Sequence, residues 1–354
     1  MISKKTLTPE WIEKVSKANR NADKILVEKV IRALLLLEGL SKSGLPFVFK
    51  GGTALMLLED STRRLSIDID IIMSENRKDL DEIFESFAKQ QGFNRVEMQH
   101  RTAASSIEKA HYKFFYTPVH KTNAGEEAVL LDILFEGNHY KNILPHEIKS
   151  SFLITTAKLA QVNIPSFEDL LGDKLTAFAP NTTGIPYFKR DDSMSMEIIK
   201  QLYDIGKIFD AAEDLAVIKT TFDKIVKTEI VYRKLKDAKP EDVLEDIFKT
   251  SLCISLRGAV DKENFDHLQQ GIRRVERFIF SEPYNIDKAI IHAAKAAYLS
   301  RLIATDQKRS EKFEDPKQIA DAIIDQPHNT KLNKLKKSNP EAFFYWWKAT
   351  QLAK

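Results

Sequence analysis

Apolar positions recur at helical spacing near the N-terminus and then give way to brief, continuous apolar runs. Residues 23–40 carry apolar side chains every three or four positions and end beside Gly39, so they predict a helix with a glycine C-cap. Residues 47–49 read Phe-Val-Phe, a short run that predicts a buried strand. Two glycines follow this strand, and Thr53 after them is predicted to N-cap a short helix.

The following segments alternate between strand patterns and one helical pattern. Runs rich in β-branched and aromatic residues indicate strands, and the amphipathic stretch that stops at Gly92 indicates a helix. This order predicts an α+β fold that begins with a mixed β-sheet and has helices on one side. We expect strands at 67–73, 93–99, 111–117 and 127–135, and a helix at 78–91.

The second half of the chain is predicted to be mostly α-helical. Ser166 precedes an acidic first turn, which is typical of a helix start. Residues 242–257 and 285–303 carry further helical patterns. We therefore expect two domains, residues 1–165 and residues 166–354. The aromatic run Phe343-Phe-Tyr-Trp-Trp347 is predicted to pack between helices rather than stack on bases.

Charge adds little to this picture. The chain has 354 residues, 54 Lys+Arg and 51 Asp+Glu, so its formal charge of +3 is too balanced to indicate nucleic-acid binding. A local basic segment near the C-terminus favours a solvated helix face, although it could also meet phosphates. Its members are Lys331, Lys334, Lys336 and Lys337.

The cysteine content and the apolar runs bear on the compartment. Cys253 is the only cysteine, so no intrachain disulfide forms, and its apolar surroundings predict a buried, inert thiol. The N-terminus has no apolar signal region, and the longest apolar run, residues 33–37, is too short to span a bilayer. We expect a soluble, cytoplasmic protein with no membrane partner.

Three aspartates are the candidates for catalysis. Asp68 and Asp70 stand two positions apart in a predicted strand, so both side chains point to one face while the intervening isoleucines face the core. Two adjacent carboxylates repel each other unless a cation lies between them, and Mg²⁺ prefers such hard oxygen ligands. Asp132 interrupts another apolar strand, where an unpaired charge is costly, and is the expected third acid.

The two glycines after the first strand are suited to phosphate. Glycine lets the backbone approach a ligand closely, and the first N–H groups of a helix attract anions. The order Lys50-Gly51-Gly52-Thr53 lacks the spacing of a P-loop. The histidines show no metal-ligand spacing, which argues against a zinc site.

These motifs resemble those of the AbiEii/AbiGii toxin family of nucleotidyltransferases, which share the polymerase-beta-like nucleotidyltransferase fold. The similarity rests on Lys50-Gly-Gly-Thr-Ala-Leu55 and on Arg64-Leu-Ser-Ile-Asp-Ile-Asp70. It continues through Asp132, Glu168-Asp-Leu-Leu-Gly-Asp-Lys-Leu-Thr-Ala-Phe178 and Lys200-Gln-Leu-Tyr-Asp-Ile205. It covers roughly residues 45–210. The stretch Lys189-Arg-Asp-Asp192 departs from the family's basic pattern, so the basic partner of the site is left open.

The resemblance implies a role for each candidate residue. Asp68 and Asp70 would hold Mg²⁺, with two ions expected and Mn²⁺ as a substitute, and Asp132 would either complete the metal site or act as general base. Lys174 would neutralise triphosphate charge, against the alternative of a surface lysine. Asp204 would lie near the nucleotide or orient Lys174, against the alternative of a helix-surface carboxylate. The residues implied to contact the nucleotide or its phosphates are Lys50, Gly51, Gly52, Thr53, Ser66, Lys174 and Asp204.

The implied activity is metal-dependent transfer of a nucleoside monophosphate from an NTP to an acceptor. The resemblance implies the toxin of a toxin–antitoxin or abortive-infection system, acting on tRNA 3′ ends and counteracted by an antitoxin. Nucleotidylation of a protein or a small molecule is an alternative, and a catalytically silent binding module is another. The intact set of aspartates argues against the last of these.

Overall fold

The computed structural model describes residues 1–59, 64–99, 108–120, 125–156, 158–325, 327 and 329–352. The strands of these residues are Val48–Lys50 (β1), Ile69–Met73 (β2), Arg95–Met98 (β3), Lys109–Tyr116 (β4), Glu127–Phe135 (β5), Ile143–Glu147 (β6), Gln161–Pro165 (β7), Phe188–Lys189 (β8) and Asp192–Ser193 (β9). The α-helices are Pro9–Ala18 (α1), Lys24–Lys42 (α2), Gly51–Leu58 (α3), Leu80–Ala88 (α4), Phe167–Ala177 (α5), Ser195–Ala211 (α6), Leu215–Tyr232 (α7), Pro240–Ser255 (α8), Lys262–Val275 (α9), Ile286–Ala304 (α10), Asn329–Ser338 (α11) and Pro340–Gln351 (α12).

Contacts divide the chain into two units. The first unit contains Met1–Ser166 together with a short returning segment, Arg277–Pro283. The second contains Phe167–Glu276 and Tyr284–Lys354. The sequence patterns did not predict that residues 277–283 belong with the first unit.

The first unit is built on a five-stranded sheet in the order β1-β2-β5-β4-β3. Strands β2 and β5 are parallel, whereas the other neighbouring pairs are antiparallel. The predicted α+β fold with a mixed sheet is therefore confirmed. The predicted strands at 67–73 and 93–99 are shorter in the structure, while β5 spans the predicted residues 127–135.

One face of this sheet is the core of the first unit. Ile69 and Ile71 on β2 pair with Leu131 and Ile133 on β5, and all four are almost fully buried. Asp70 and Asp132 stand between these residues and direct their side chains to the opposite face, which follows from the two-residue period of a strand. The buried face fixes the register, because a slip of one residue would place isoleucines where the aspartates stand.

Helix α2 corrects the predicted C-cap at Gly39. The helix continues past this glycine to Lys42, and its C-cap is Ser43. A Cβ atom at position 39 would come within 2.6 Å of the Phe87 ring. Gly39 is therefore a close-packing position for an aromatic side chain of α4 rather than a helix end.

A β-hairpin that the patterns did not predict follows the sheet. Strands β6 and β7 pair antiparallel, with Leu144 opposite Ile164. Leu144 is exposed while Ile164 is buried, so the periodicity of this hairpin is only partly visible in the sequence. Strand β7 ends immediately before α5, where the second unit begins.

The second unit is helical apart from the short β8–β9 hairpin among its described residues. Residues 343–346 of α12 are buried, which confirms that the aromatic run packs between helices. Cys253 is buried in α8, as predicted. In the described part of the chain, no helix combines the length and the apolar character needed to cross a bilayer.

Candidate active site

The turn between β1 and α3 brings a glycine against an aspartate. Gly51 has φ +82°, in the left-handed region that favours glycine. A Cβ atom built on Gly51 would overlap the carboxylate of Asp70. The chain therefore needs glycine here for two reasons, its backbone conformation and its contact with the acid.

Helix α3 begins at Gly51, so the predicted N-cap at Thr53 is wrong. Lys50 is the N-cap residue, and its side chain makes no capping hydrogen bond. The first N–H groups of a helix lack intrahelical acceptors, so the backbone of the Gly51–Thr53 turn offers donors of the kind that bind anions.

The Thr53 side chain has a structural partner instead. Its hydroxyl donates a hydrogen bond of 2.6 Å to the backbone carbonyl of Asp68, and Thr53 is fully buried. This bond ties the start of α3 to the residue that precedes β2. The contribution of Thr53 to phosphate binding stays a prediction, whereas its hydroxyl fixes the backbone of Asp68.

Gly52 lies against two polar side chains of the segment leading into β2. A Cβ atom at this position would lie 2.6 Å from the Arg64 guanidinium and 2.7 Å from the Ser66 hydroxyl. Arg64 is buried and forms an isolated β-bridge with Ile279 of the returning segment. The amide of Leu65 donates to the carbonyl of Phe278 over 2.7 Å. The returning segment thus holds the backbone that places Arg64 and Ser66 beside the glycine turn.

A row of four polar residues crosses the sheet beside this turn. The register pairs Lys50 on β1 with Asp70 on β2, Asp70 with Asp132 on β5, and Asp132 with His111 on β4. Residues paired in register on adjacent strands direct their side chains to the same face. The two carboxylates are therefore neighbours, with a lysine on one flank and a histidine on the other.

His111 makes the closest polar contact of this row. Its Nδ1 atom lies 2.6 Å from Oδ1 of Asp132. The Asp132 side chain is 38% exposed and that of His111 is 18% exposed. His111 was not predicted from the sequence, because its pairing with Asp132 depends on the β4–β5 register. The alternation of polar and apolar residues along β4 was the one local signal of the face it occupies.

Asp68 and Lys50 complete the arrangement. Asp68 stands one residue before β2 and is half-buried, so Asp70 alone of the predicted pair lies within the strand. The Lys50 Nζ atom lies 5.8 Å from the centre of the buried Tyr140 ring. The acids are therefore surrounded by the amine of Lys50 on β1, the hydroxyl of Ser66 and the imidazole of His111 on β4.

The donor atoms at this site fit a hard cation. Mg²⁺ commonly takes one or two carboxylates and completes its coordination with water and substrate phosphates. Asp68 and Asp70, beside a turn suited to phosphate, meet that requirement. Within the described residues, no three His, Cys, Asp or Glu side chains are gathered so that they could hold a metal ion. Water and the oxygens of a bound nucleotide would supply the remaining ligands.

The second unit contains the other predicted pair. Lys174 on α5 and Asp204 on α6 form an ion pair with Nζ 2.7 Å from Oδ2, and both residues are buried. The Lys174 Nζ atom also donates to Oε1 of Gln201 over 3.1 Å. The alternatives of a surface lysine and a helix-surface carboxylate are therefore wrong.

A comparison with protein-family profiles identifies the family to which the chain belongs. The profile described as "Nucleotidyl transferase AbiEii toxin, Type IV TA system" matches residues 35–277. The chain belongs to the AbiEii nucleotidyltransferase family. The match extends beyond the roughly 45–210 that the motifs covered, and it includes the glycine turn, the three aspartates and the Lys174–Asp204 pair.

Solved structures give more distant likenesses to this AbiEii family member. JHP933 from Helicobacter pylori is 15% identical with a TM-score of 0.41, covering 79% of this chain and 90% of that one. A nucleotidyltransferase-like antigenic protein from Paracoccidioides brasiliensis is 15% identical with a TM-score of 0.35, covering 62% and 91%. A comparison with curated proteins finds no match.

Membership of this family makes the AbiEii protein a nucleotidyltransferase. The three aspartates, the glycine turn and the returning segment's contact with Leu65 all lie in its first unit. Helices α10 to α12, with the packed aromatic run, begin after the end of the family match.

Proposed function

We propose that this enzyme transfers a nucleoside monophosphate from a Mg²⁺-bound NTP to a hydroxyl acceptor at the face carrying Asp68, Asp70 and Asp132. The observation that supports this most strongly is the register of β2 and β5. It makes Asp70 and Asp132 neighbours while Gly51 packs against the Asp70 carboxylate. Adjacent acids beside a glycine turn suit a nucleotide that brings phosphate and cation together.

The residues divide the chemistry between them. The backbone of Gly51 and Gly52 approaches the phosphates, and Asp68 and Asp70 hold the cation. Mg²⁺ would supply charge neutralisation at the α-phosphate and at the leaving pyrophosphate. The acceptor oxygen bonds to the α-phosphorus, the bond from that phosphorus to the bridging oxygen of pyrophosphate breaks, and the acceptor proton passes to Asp132. Positioning and charge supply most of the catalysis in such reactions.

The proposed acceptor is the 3′ end of tRNA. Helix α11 exposes Lys331, Lys334 and Lys337, whose positive charges suit contacts with phosphates, whereas Lys336 donates to the carbonyls of Ala320 and Ala322. Binding of tRNA through phosphate contacts should therefore weaken steeply as the salt concentration rises.

The Lys174–Asp204 pair is proposed to act on the NTP. Lys174 would neutralise triphosphate charge, and Asp204 would orient Lys174.

The family description supports a toxin that is counteracted by a cognate antitoxin. Expression of the wild-type chain should arrest growth, and Asp70→Asn should relieve the arrest. The isosteric change Asp191→Asn, at an exposed aspartate in the β8–β9 turn, is the matched control and should remain toxic. Arrest by the Asp70→Asn protein at equal expression would contradict the proposal.

Labelled NTPs provide the direct test. Each of the four α-labelled NTPs is incubated with the enzyme, Mg²⁺ and total tRNA, and the products are separated. We expect label on tRNA with wild-type and Asp191→Asn, at least about 100-fold less with Asp70→Asn, and none without divalent cation. Label on a protein or on a small molecule would show that this molecule, and not tRNA, is the acceptor. No transfer to any acceptor would reject the catalytic proposal.

A further inference from the structure

We infer that His111 is a positioning residue that holds the Asp132 carboxylate on the acceptor side of the reaction centre. This inference rests on the proposed function, because it assigns Asp132 to the acceptor hydroxyl and leaves the cation to Asp68 and Asp70.

The strand order sets the direction of this contact. Strand β5 lies between β2 and β4. Asp132 on β5 therefore has Asp70 on one side and His111 on the other. Its Oδ1 atom lies 2.6 Å from Nδ1 of His111, so the carboxylate is engaged towards β4, on the side opposite Asp70.

The proton in this contact belongs to the imidazole. An ionised carboxylate only accepts hydrogen bonds, so Nδ1 of His111 must be the donor. A neutral imidazole with its proton on Nδ1 leaves Nε2 unprotonated, and the hydrogen bond selects that tautomer. The hydrogen bond thus has two effects. It selects the tautomer of the His111 ring, and it holds one oxygen of the Asp132 carboxylate in place.

This tether matters because Asp132 is otherwise loosely held. Its side chain is 38% exposed, and within the described residues the His111 contact is its one polar side-chain interaction. An exposed carboxylate with no tether samples several rotamers. With Oδ1 engaged, the second oxygen is left for the acceptor hydroxyl.

A conservative and a disruptive substitution of His111 distinguish the effect of losing the hydrogen bond from the effect of changing the side chain's size. In His111→Asn, the amide nitrogen is attached at the same branch point as Nδ1 and still donates to Asp132. In His111→Leu the donor is lost. His146→Leu, at a half-exposed histidine on β6, is the matched control. Thermal unfolding is recorded for each variant, and His111→Phe replaces the leucine variant if that protein does not fold.

Transfer to total tRNA is measured with NTP, tRNA and Mg²⁺ each varied. We expect His111→Leu to lower kcat roughly 10–100-fold, the usual effect of removing a partner that orients a functional group. The KM for NTP and the Mg²⁺ half-saturation should stay within about two-fold, because Asp68 and Asp70 are untouched. His111→Asn should keep most of kcat, and His146→Leu should match the wild type.

Other outcomes overturn the inference. A leucine variant with wild-type kcat would show that the tether is dispensable. An asparagine variant as weak as the leucine variant would show that the hydrogen bond is not what matters. If His111→Leu raised the Mg²⁺ concentration for half-saturation and high Mg²⁺ restored kcat, Asp132 and His111 would serve metal binding rather than the acceptor. An inactive wild-type enzyme would instead reject the proposed function itself.

The tautomer offers a readout that does not depend on activity. Ring nitrogen shifts of ¹⁵N-labelled wild-type protein should show His111 with its proton on Nδ1. In Asp132→Ala the ring should lose this preference, because its acceptor is gone. A wild-type spectrum with the proton on Nε2 would contradict the inference whatever the kinetics show.

Discussion

Nζ of Lys174 lies 2.7 Å from Oδ2 of Asp204, and the two side chains are only 7% and 1% exposed. A buried ion pair of this kind joins α5 to α6 and leaves neither charge to water. Its removal therefore affects folding as well as any role in catalysis, and the two effects have to be measured separately.

Lys174→Met should destabilise the protein by about 3–5 kcal/mol, because it removes the ammonium group that is paired with the buried Asp204 carboxylate. The double variant Lys174→Met/Asp204→Leu should recover part of this loss. The free energy of unfolding is obtained from urea titrations. The exposed pair Lys262–Asp266, with side chains 79% and 50% exposed, is the control, and breaking it should cost under about 1 kcal/mol. A loss below about 1 kcal/mol in Lys174→Met would show that the pair is not buried.

Gly51→Ala should abolish nucleotide transfer, whereas Gly44→Ala should not. Both glycines have positive φ, +82° and +77°, so alanine meets a similar backbone strain of about 1 kcal/mol at either position. Only at position 51 does the new Cβ meet a side chain, the Asp70 carboxylate, since nothing lies within 4 Å at position 44. Transfer rates and unfolding temperatures of the two variants are compared. Equal activities would refute the importance of the Gly51–Asp70 contact.

Cys253 should react with iodoacetamide only when the protein unfolds. Burial raises the pKa of its thiol from 9.0 to about 12, so the reactive thiolate is about 10⁻⁴ of the thiol at pH 8. Since the folded pKa is the higher one, the thiol's contribution to stability is complete below pH 9 and is lost as pH rises towards 12. Labelling is followed by mass spectrometry with and without urea. Rapid labelling of the folded protein at pH 8 would contradict this burial.

Trp346→Ala should cost about 3–5 kcal/mol of stability, as expected for emptying a core site. Trp346 is fully buried, and its indole N–H donates to the Ser255 hydroxyl over 2.9 Å. The neighbouring Trp347 is half-buried, so Trp347→Ala should cost clearly less. Urea titrations compare the two variants. Similar losses of stability in the two variants would contradict the deeper burial of Trp346 relative to Trp347.

Local patterns were sufficient for the parts of the site that depend on near neighbours in sequence. The alternation of acids and isoleucines placed Asp70 on the polar face of β2, and the glycines before α3 marked the turn that contacts it. The apolar run with one acid gave the bounds of β5 and singled out Asp132. Each of these signals lies within one strand or one turn.

The missing parts depend on tertiary packing. Gly39 resembled a helix end, but the ring of Phe87 explains why glycine stands there. His111 reaches Asp132 across 21 residues of sequence, so its importance follows from strand register. Thr53 had the residue type of a helix cap, whereas its hydroxyl bonds to the carbonyl of Asp68, 15 residues away.

The contact between Leu65 and Phe278 has a consequence for synthesis on the ribosome. The backbone leading to Ser66 and Asp68 gains this partner only after all of residues 167–276 have been translated. A nascent chain that has exposed only its N-terminal unit therefore lacks one support of the proposed reaction centre. For an enzyme that we propose acts as a toxin, this order of assembly would delay completion of the site until most of the polypeptide has been made.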